Sequence, residues 1–92
     1  MEPVTAAQLA EYVGEYRNDE VETTITFVAD SGRLVNMRSG RRSGTFEPVA
    51  RDLFVGGGGV LEFVRDKRGR VTGYALQAGM VRNLKFVRRL LP

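Results

Sequence analysis

The sequence predicts an all-β protein: a small, eight-stranded antiparallel up-and-down barrel with one short N-terminal helix closing an end. Three observations lead there. Apolar and polar residues alternate along short segments, most clearly in Val21–Ala29, where Val21, Thr23, Ile25, Phe27 and Ala29 share one face and Glu22, Thr24 and Thr26 the other. Turn chemistry recurs between the segments, as at Asp30-Ser-Gly32 and Asp66-Lys-Arg-Gly69, where glycine supplies the positive φ of a hairpin. The connections are also too short for the crossovers that parallel strands require. Eight strands is a number at which a meander closes into a barrel and loses its exposed edges; a two-sheet sandwich is the alternative.

The helix is read over about residues 5–13. Thr5 and Gln8 have the spacing of a capping box, and Val4 and Leu9 that of a hydrophobic staple. Ala6, Leu9, Ala10 and Val13 recur at helical spacing, with Tyr12 beside them and Gly14 placed to end the helix. So short a helix is unstable alone and must lie on something, the end of the sheet being at hand. Gly14–Arg17 begins the first strand, Asn18-Asp-Glu20 turns the chain, and Val21–Ala29 is the second strand. Arg33–Arg38 is the third, where periodicity does not choose between Leu34/Asn36 and Val35/Met37 as the buried pair. Ser39–Gly44 reads as a polar, basic loop before a fourth strand over Thr45–Val49, in which Phe46 faces inward and Pro48 marks an edge or a bulge. A fifth strand is Leu53–Val55, and Gly56–Gly59 is a loop or a bulged strand end. Val60–Arg65, Val71–Gln77 and Met80–Val87 complete the eight, and Arg88–Pro92 reads as a tail.

One domain, residues 1–92, accounts for the whole length. Hydrophobic residues make up 42% and charged residues 27%, a globular balance rather than a disordered one. No membrane span or signal peptide is read in the sequence. With no cysteine and no histidine, disulfides, thiol nucleophiles, imidazole or thiolate metal sites and histidine bases are excluded. The net charge of +3 hides an asymmetry: residues 1–35 hold seven acids and two bases (−5), residues 36–92 twelve bases and four acids (+8).

The order Leu9-x-x-Tyr12-x-Gly14-x-Tyr16, Gly32-Arg-Leu34, Phe46-x-Pro48, Phe54, Leu61-x-Phe63-x-x-Asp66-x-x-Gly69-x-Val71-x-Gly73 spans nearly the whole chain. It resembles the small lipocalin-like domain that follows the catalytic domain in many serine beta-lactamase-like hydrolases and penicillin-binding-protein-related peptidases. The resemblance implies a lipocalin-like eight-stranded barrel with an accessory role beside a hydrolase and no catalytic residues or cofactor of its own. It implies a periplasmic or secreted location if the hydrolase is exported, and a cytoplasmic one otherwise. The catalytic domain itself is missing from this sequence. None of Ser31, Ser39 or Ser43 has a lysine three residues on, as a Ser-x-x-Lys nucleophile requires. Tyr16-Arg-Asn18 matches the hydrolases' Tyr-x-Asn by letter only, and Val71-Thr-Gly73 lacks the lysine of Lys-Thr-Gly. The chain reads as an excised C-terminal domain or a free-standing relative.

Other patterns carry little chemistry. Gly56–Gly59 lacks the Gly-Lys-Ser/Thr and the helix N-terminus of a phosphate loop, and reads as a strand connection. Asp19, Glu20 and Glu22 read as solvated turn charges rather than a metal site. The candidate interior or mouth residues are Tyr12, Tyr16, Phe27, Phe46, Phe54, Phe63, Tyr74 and Phe86. An eight-stranded barrel is either filled by such side chains or holds one small ligand, and a filled interior is the expectation. Tyr12 is expected to pack the helix onto a barrel end, and Tyr16 to point inside. Arg38, Arg41, Arg42, Arg65, Lys67, Arg68 and Arg70 form a candidate basic surface. The expected role is therefore non-catalytic: packing on a serine hydrolase catalytic domain or a second subunit. Small apolar-ligand binding at a barrel mouth is one alternative. Nucleic-acid or acidic-surface binding is the other; for nucleic acid, aromatics should stand exposed beside the bases, and here they sit at apolar strand positions.

Overall fold

The computed structural model describes residues 4–89. One helix, α1 (Ala6–Ala10), precedes eight strands: β1 (Gly14–Asn18), β2 (Thr23–Asp30), β3 (Arg33–Arg38), β4 (Arg41–Ala50), β5 (Leu53–Gly56), β6 (Gly59–Arg65), β7 (Val71–Ala78) and β8 (Val81–Arg89). Each strand pairs antiparallel with the next, and β8 pairs with β1 through Glu15↔Arg89, Tyr16↔Arg88 and Arg17↔Val87, so the barrel is closed. The alternating strand directions give it two distinct ends. Helix α1 and the β2–β3, β4–β5 and β6–β7 turns lie at one, here the helix end; the other four turns lie at the open end.

Register decides which residues fill the interior. Phe63↔Tyr74↔Phe86 and Leu61↔Leu76↔Leu84 run as rows across β6, β7 and β8, facing Tyr16↔Ile25, Phe27 and Leu34↔Phe46 from the other side. The rings pack mostly edge to face, with Tyr74 stacked on Phe86 at 4.8 Å and Tyr16 5.1 Å from Tyr74. Such geometry adds about 0.5–1.5 kcal/mol per pair beyond burial. Leu34, not Val35, belongs to this interior, which resolves the pair that periodicity left open. Val35 is nonetheless buried, although it points outward with its partners Val28 and Thr45. On the same outer face Arg42 reaches from β4 to an ion pair with Asp30 of β2.

Several boundaries differ from the sequence reading. The capping box forms, with Gln8 N donating to Thr5 Oγ1 at 3.1 Å and Thr5 N to Gln8 Oε1 at 2.8 Å. The helix nevertheless stops at Ala10, because Glu11 N and Tyr12 N already bond back three residues, to Gln8 O and Leu9 O. Gly14 is therefore not its cap but the first residue of β1, at φ +145°. Val21 lies in the β1–β2 turn, 52% exposed, instead of opening the second strand. Ser39–Gly44 is not a loop. Ser39 and Gly40 alone make the turn, with φ of 52° and 77°, the two positive values that a tight hairpin needs. After them Arg41 pairs with Arg38 at the rim, Arg42 stands outward opposite Met37 and Ser43 is the extra residue of a bulge, a polar run that mimics a loop. Pro48 marks a bulge, in a register shift between Pro48 and Ala50. Gly56 and Gly59 are paired strand residues, leaving Gly57-Gly58 as the turn. Arg88 and Arg89 belong to β8 rather than to a tail; Leu90–Pro92 lie outside the described residues.

Candidate functional site

The two ends of the barrel offer different chemistry. At the helix end the polar groups are spent on one another. Tyr12 Oη donates to Asp52 Oδ1 at 2.7 Å and accepts from Arg65 Nη2 at 3.2 Å, placing the helix-following residue over Phe54 and Phe63. Arg65 spans Asp52 (Nε to Oδ1, 2.9 Å), Glu11 (Nη1 to Oε1, 2.7 Å) and the carbonyl of Gly69 (2.6 Å). Below this, Tyr16 Oη donates to Tyr12 O at 2.8 Å, and Arg88 donates to Val13 O at 2.6 Å and Val71 O at 3.1 Å. The Arg88 guanidinium also stands 5.9 Å from the Tyr16 ring centre. The Tyr12 and Tyr16 hydroxyls and the two arginines of the lid thus each find acceptors, as burial demands. The result is a lid, fastened by side chains from the α1–β1 connection, the β4–β5 turn, β1, β6 and β8.

Arg65 was grouped with the surface bases because it precedes a polar turn. Its side chain is only 12% exposed and belongs to the lid, since it continues the inward alternation of Leu61 and Phe63 along β6. The other candidate bases do not form one surface. Arg38, Arg41 and Arg42 come from the β3–β4 hairpin at the open end; Lys67, Arg68 and Arg70 sit on the β6–β7 turn at the helix end. Arg42 pairs with Asp30, and Arg70 with Asp66 at 3.6 Å. Arg42–Asp30, Arg65–Glu11 and Arg89–Glu15 join the basic part of the sequence to its acidic start, so part of the charge asymmetry is consumed inside the fold. The letter match Tyr16-Arg-Asn18 is structural too: Asn18 Nδ2 donates to Lys85 O across the β1–β8 seam, and its Oδ1 accepts from Val21 N in the next turn.

At the open end the interior is a cup of about 290 Å³. Phe27 and Tyr74 line its deepest part, and Ile25, Phe46, Leu76, Leu84 and Phe86 form its walls, all on strands whose inward register has been given above. Thr23, Asn36, Arg38 and Ser43 supply its polar groups. Thus Phe27, Phe46, Tyr74 and Phe86 of the candidate aromatics border the cup, while Tyr12, Tyr16, Phe54 and Phe63 pack toward the lid. Asp52, Glu11 and Arg88 are not singled out by the sequence, and Asn36 only as a member of one of two candidate inward pairs; barrel closure alone brings each to a partner or a cavity. Among the described residues no group of three carboxylates comes together as a metal site, and no helix is long and apolar enough to cross a membrane.

Burial pushes the Tyr16 phenol up to about 12, and raises Tyr12 and Tyr74 for the same first cause. A raised folded-state value means that the folded protein prefers the neutral phenol. Stability should be complete below pH ~10, the unfolded value, and fall as pH rises toward 12, by about 2–3 kcal/mol from Tyr16 alone. Far-ultraviolet circular dichroism against pH checks this. The unfolding midpoint should move upward in Tyr74→Phe, which removes one such ionisation. A flat profile to pH 12 would contradict the burial.

Comparison of the chain with protein-family models, with curated proteins and with solved structures finds no match.

Proposed function

We propose that this barrel is a non-catalytic interaction domain that packs on a partner, the serine hydrolase catalytic domain being the partner its sequence resemblance suggests. One observation carries the reading: an apolar row on the outer wall. Val64↔Gly73↔Val87 align across β6, β7 and β8 with their side chains outward, and Val64 and Val87 are 53% and 64% exposed. Glycine at the centre keeps the row low, so a partner can approach the sheet there. The polar groups of the lid support the same reading, because they are engaged in holding the helix and stand away from a common reaction centre.

The coding sequence around this domain provides the first test. A Ser-x-x-Lys domain in the same chain or an adjacent gene supports the proposal, and none in either place counts against it. Co-expression with that catalytic domain should then give a complex on size-exclusion chromatography. Val64→Glu with Val87→Glu should weaken it by at least about tenfold, since two buried charges would face apolar surface. A complex unaffected by the pair would place the interface elsewhere. Self-association by light scattering, lost in the same variant, would identify a second copy as the partner instead.

A further inference from the structure

We propose that the open-end cup is a binding site for a small N-acyl amino acid or a compound of that plan: an apolar chain, a secondary amide, then a carboxylate. The proposal is independent of the outer-wall interface. It rests on a graded column of side chains along β3. Leu34, fully buried, lies in the core beneath the cup; Asn36 lines its wall; Arg38 is at the rim. Successive inward residues are two apart, so these groups are spaced about 6–7 Å along the wall.

Asn36 is the informative member. Its partners in register are Phe27 and Gly44, neither of which offers a side-chain donor or acceptor, and its Oδ1 is buried without a hydrogen-bond partner. Such an atom is expensive to leave unsatisfied in a stable barrel, and it lies beside a cavity. Tyr74, 3% exposed, also lines the cup, and its hydroxyl makes no hydrogen bond among the described residues. A phenol is protonated at neutral pH and able to donate, and burial raises this one further. A secondary amide offers an N–H to the Asn36 oxygen and a carbonyl to a donor. Arg38, exposed and without an ion-pair partner among the described residues, is placed to take a carboxylate at the rim. Below Asn36 the walls are hydrocarbon, which suits an acyl chain. At about 290 Å³ the cup is at the small end of ligand pockets, so a short chain fits and a long fatty acid does not.

The test is a nuclear magnetic resonance titration of isotope-labelled protein with N-hexanoylglycine, alongside hexanoate and N-hexanoylsarcosine, which lacks the N–H. Saturable shifts are expected at Gly44 and Gly58, which border the cup, with a Kd of about 1 mM or below. Hexanoate and the N-methylated compound should each bind about tenfold more weakly. Asn36→Leu, checked for folding by circular dichroism, should abolish the preference for the N–H, and Arg38→Gln should weaken both amide acids. Leu84→Trp, which fills the cup, should remove binding. The comparison in the unsubstituted protein stands even if a variant fails to fold. The proposal is overturned by no saturable shift up to about 10 mM, by equal binding of the three compounds, or by shifts confined to the helix end.

Discussion

Gly59→Ala is expected to lower stability by about 3–5 kcal/mol, while Gly57→Ala, two residues earlier in the same run, should change it by less than about 1 kcal/mol. The four glycines look alike in the sequence and differ in what surrounds them. Gly59 opens β6 at φ +131°, in a region open essentially to glycine alone. A Cβ there would lie 2.4 Å from Gln77 O and 2.9 Å from Ala78 Cβ on the neighbouring strand. Backbone strain and the forced separation of β6 from β7 act together, and neither is relieved by turning a side chain. Gly57 sits in the turn with nothing within 4 Å of the added methyl. Alanine there narrows the unfolded ensemble without a clash. Urea denaturation of both variants decides the matter. For a domain of this size the Gly59 variant should melt about 15–30 °C lower. Equal effects at the two positions would mean that close strand approach does not explain the run.

The same run illustrates what was legible in the sequence. Strand alternation, the turn glycines and the Thr5–Gln8 cap are local signals, and they gave the barrel, its strand count and the helix at its head. The inward direction of Leu34 was not legible, since β3 alternates apolar residues on both faces and the Asp30–Arg42 pair spans the outer one. Arg65 and Arg88 read as ordinary solvated arginines because their acceptors lie far off in sequence, Glu11 54 positions from Arg65 and Val13 75 positions from Arg88. The cup was foreseen only as a mouth lined by aromatics. Its polar wall depends on Asn36, whose lack of a partner is a property of the closed barrel and of no sequence window.

Arg65→Met should cost about 2–4 kcal/mol, the largest effect expected from any single charged side chain here. Methionine keeps much of the hydrocarbon stem, so the loss reports the guanidinium. Without it the Asp52 carboxylate, 24% exposed, keeps only the Tyr12 hydroxyl and Glu11 loses its partner. Glu11 is nearly half exposed and adds little; the stranded Asp52 dominates. Asp52→Asn in the same chain should therefore recover at least about 1 kcal/mol, a coupling that a double-mutant cycle measures directly. Arg65→Lys should rescue poorly. A single ammonium cannot reach the Asp52 carboxylate, Glu11, the Gly69 carbonyl and the Tyr12 hydroxyl together, as the planar fork does. Full rescue by lysine would reduce the lid to simple charge pairing. If lysine fails, the lid is a directional clamp that keeps the helix end shut, and exchange with solvent through the barrel axis is left to the open end, where the cup is.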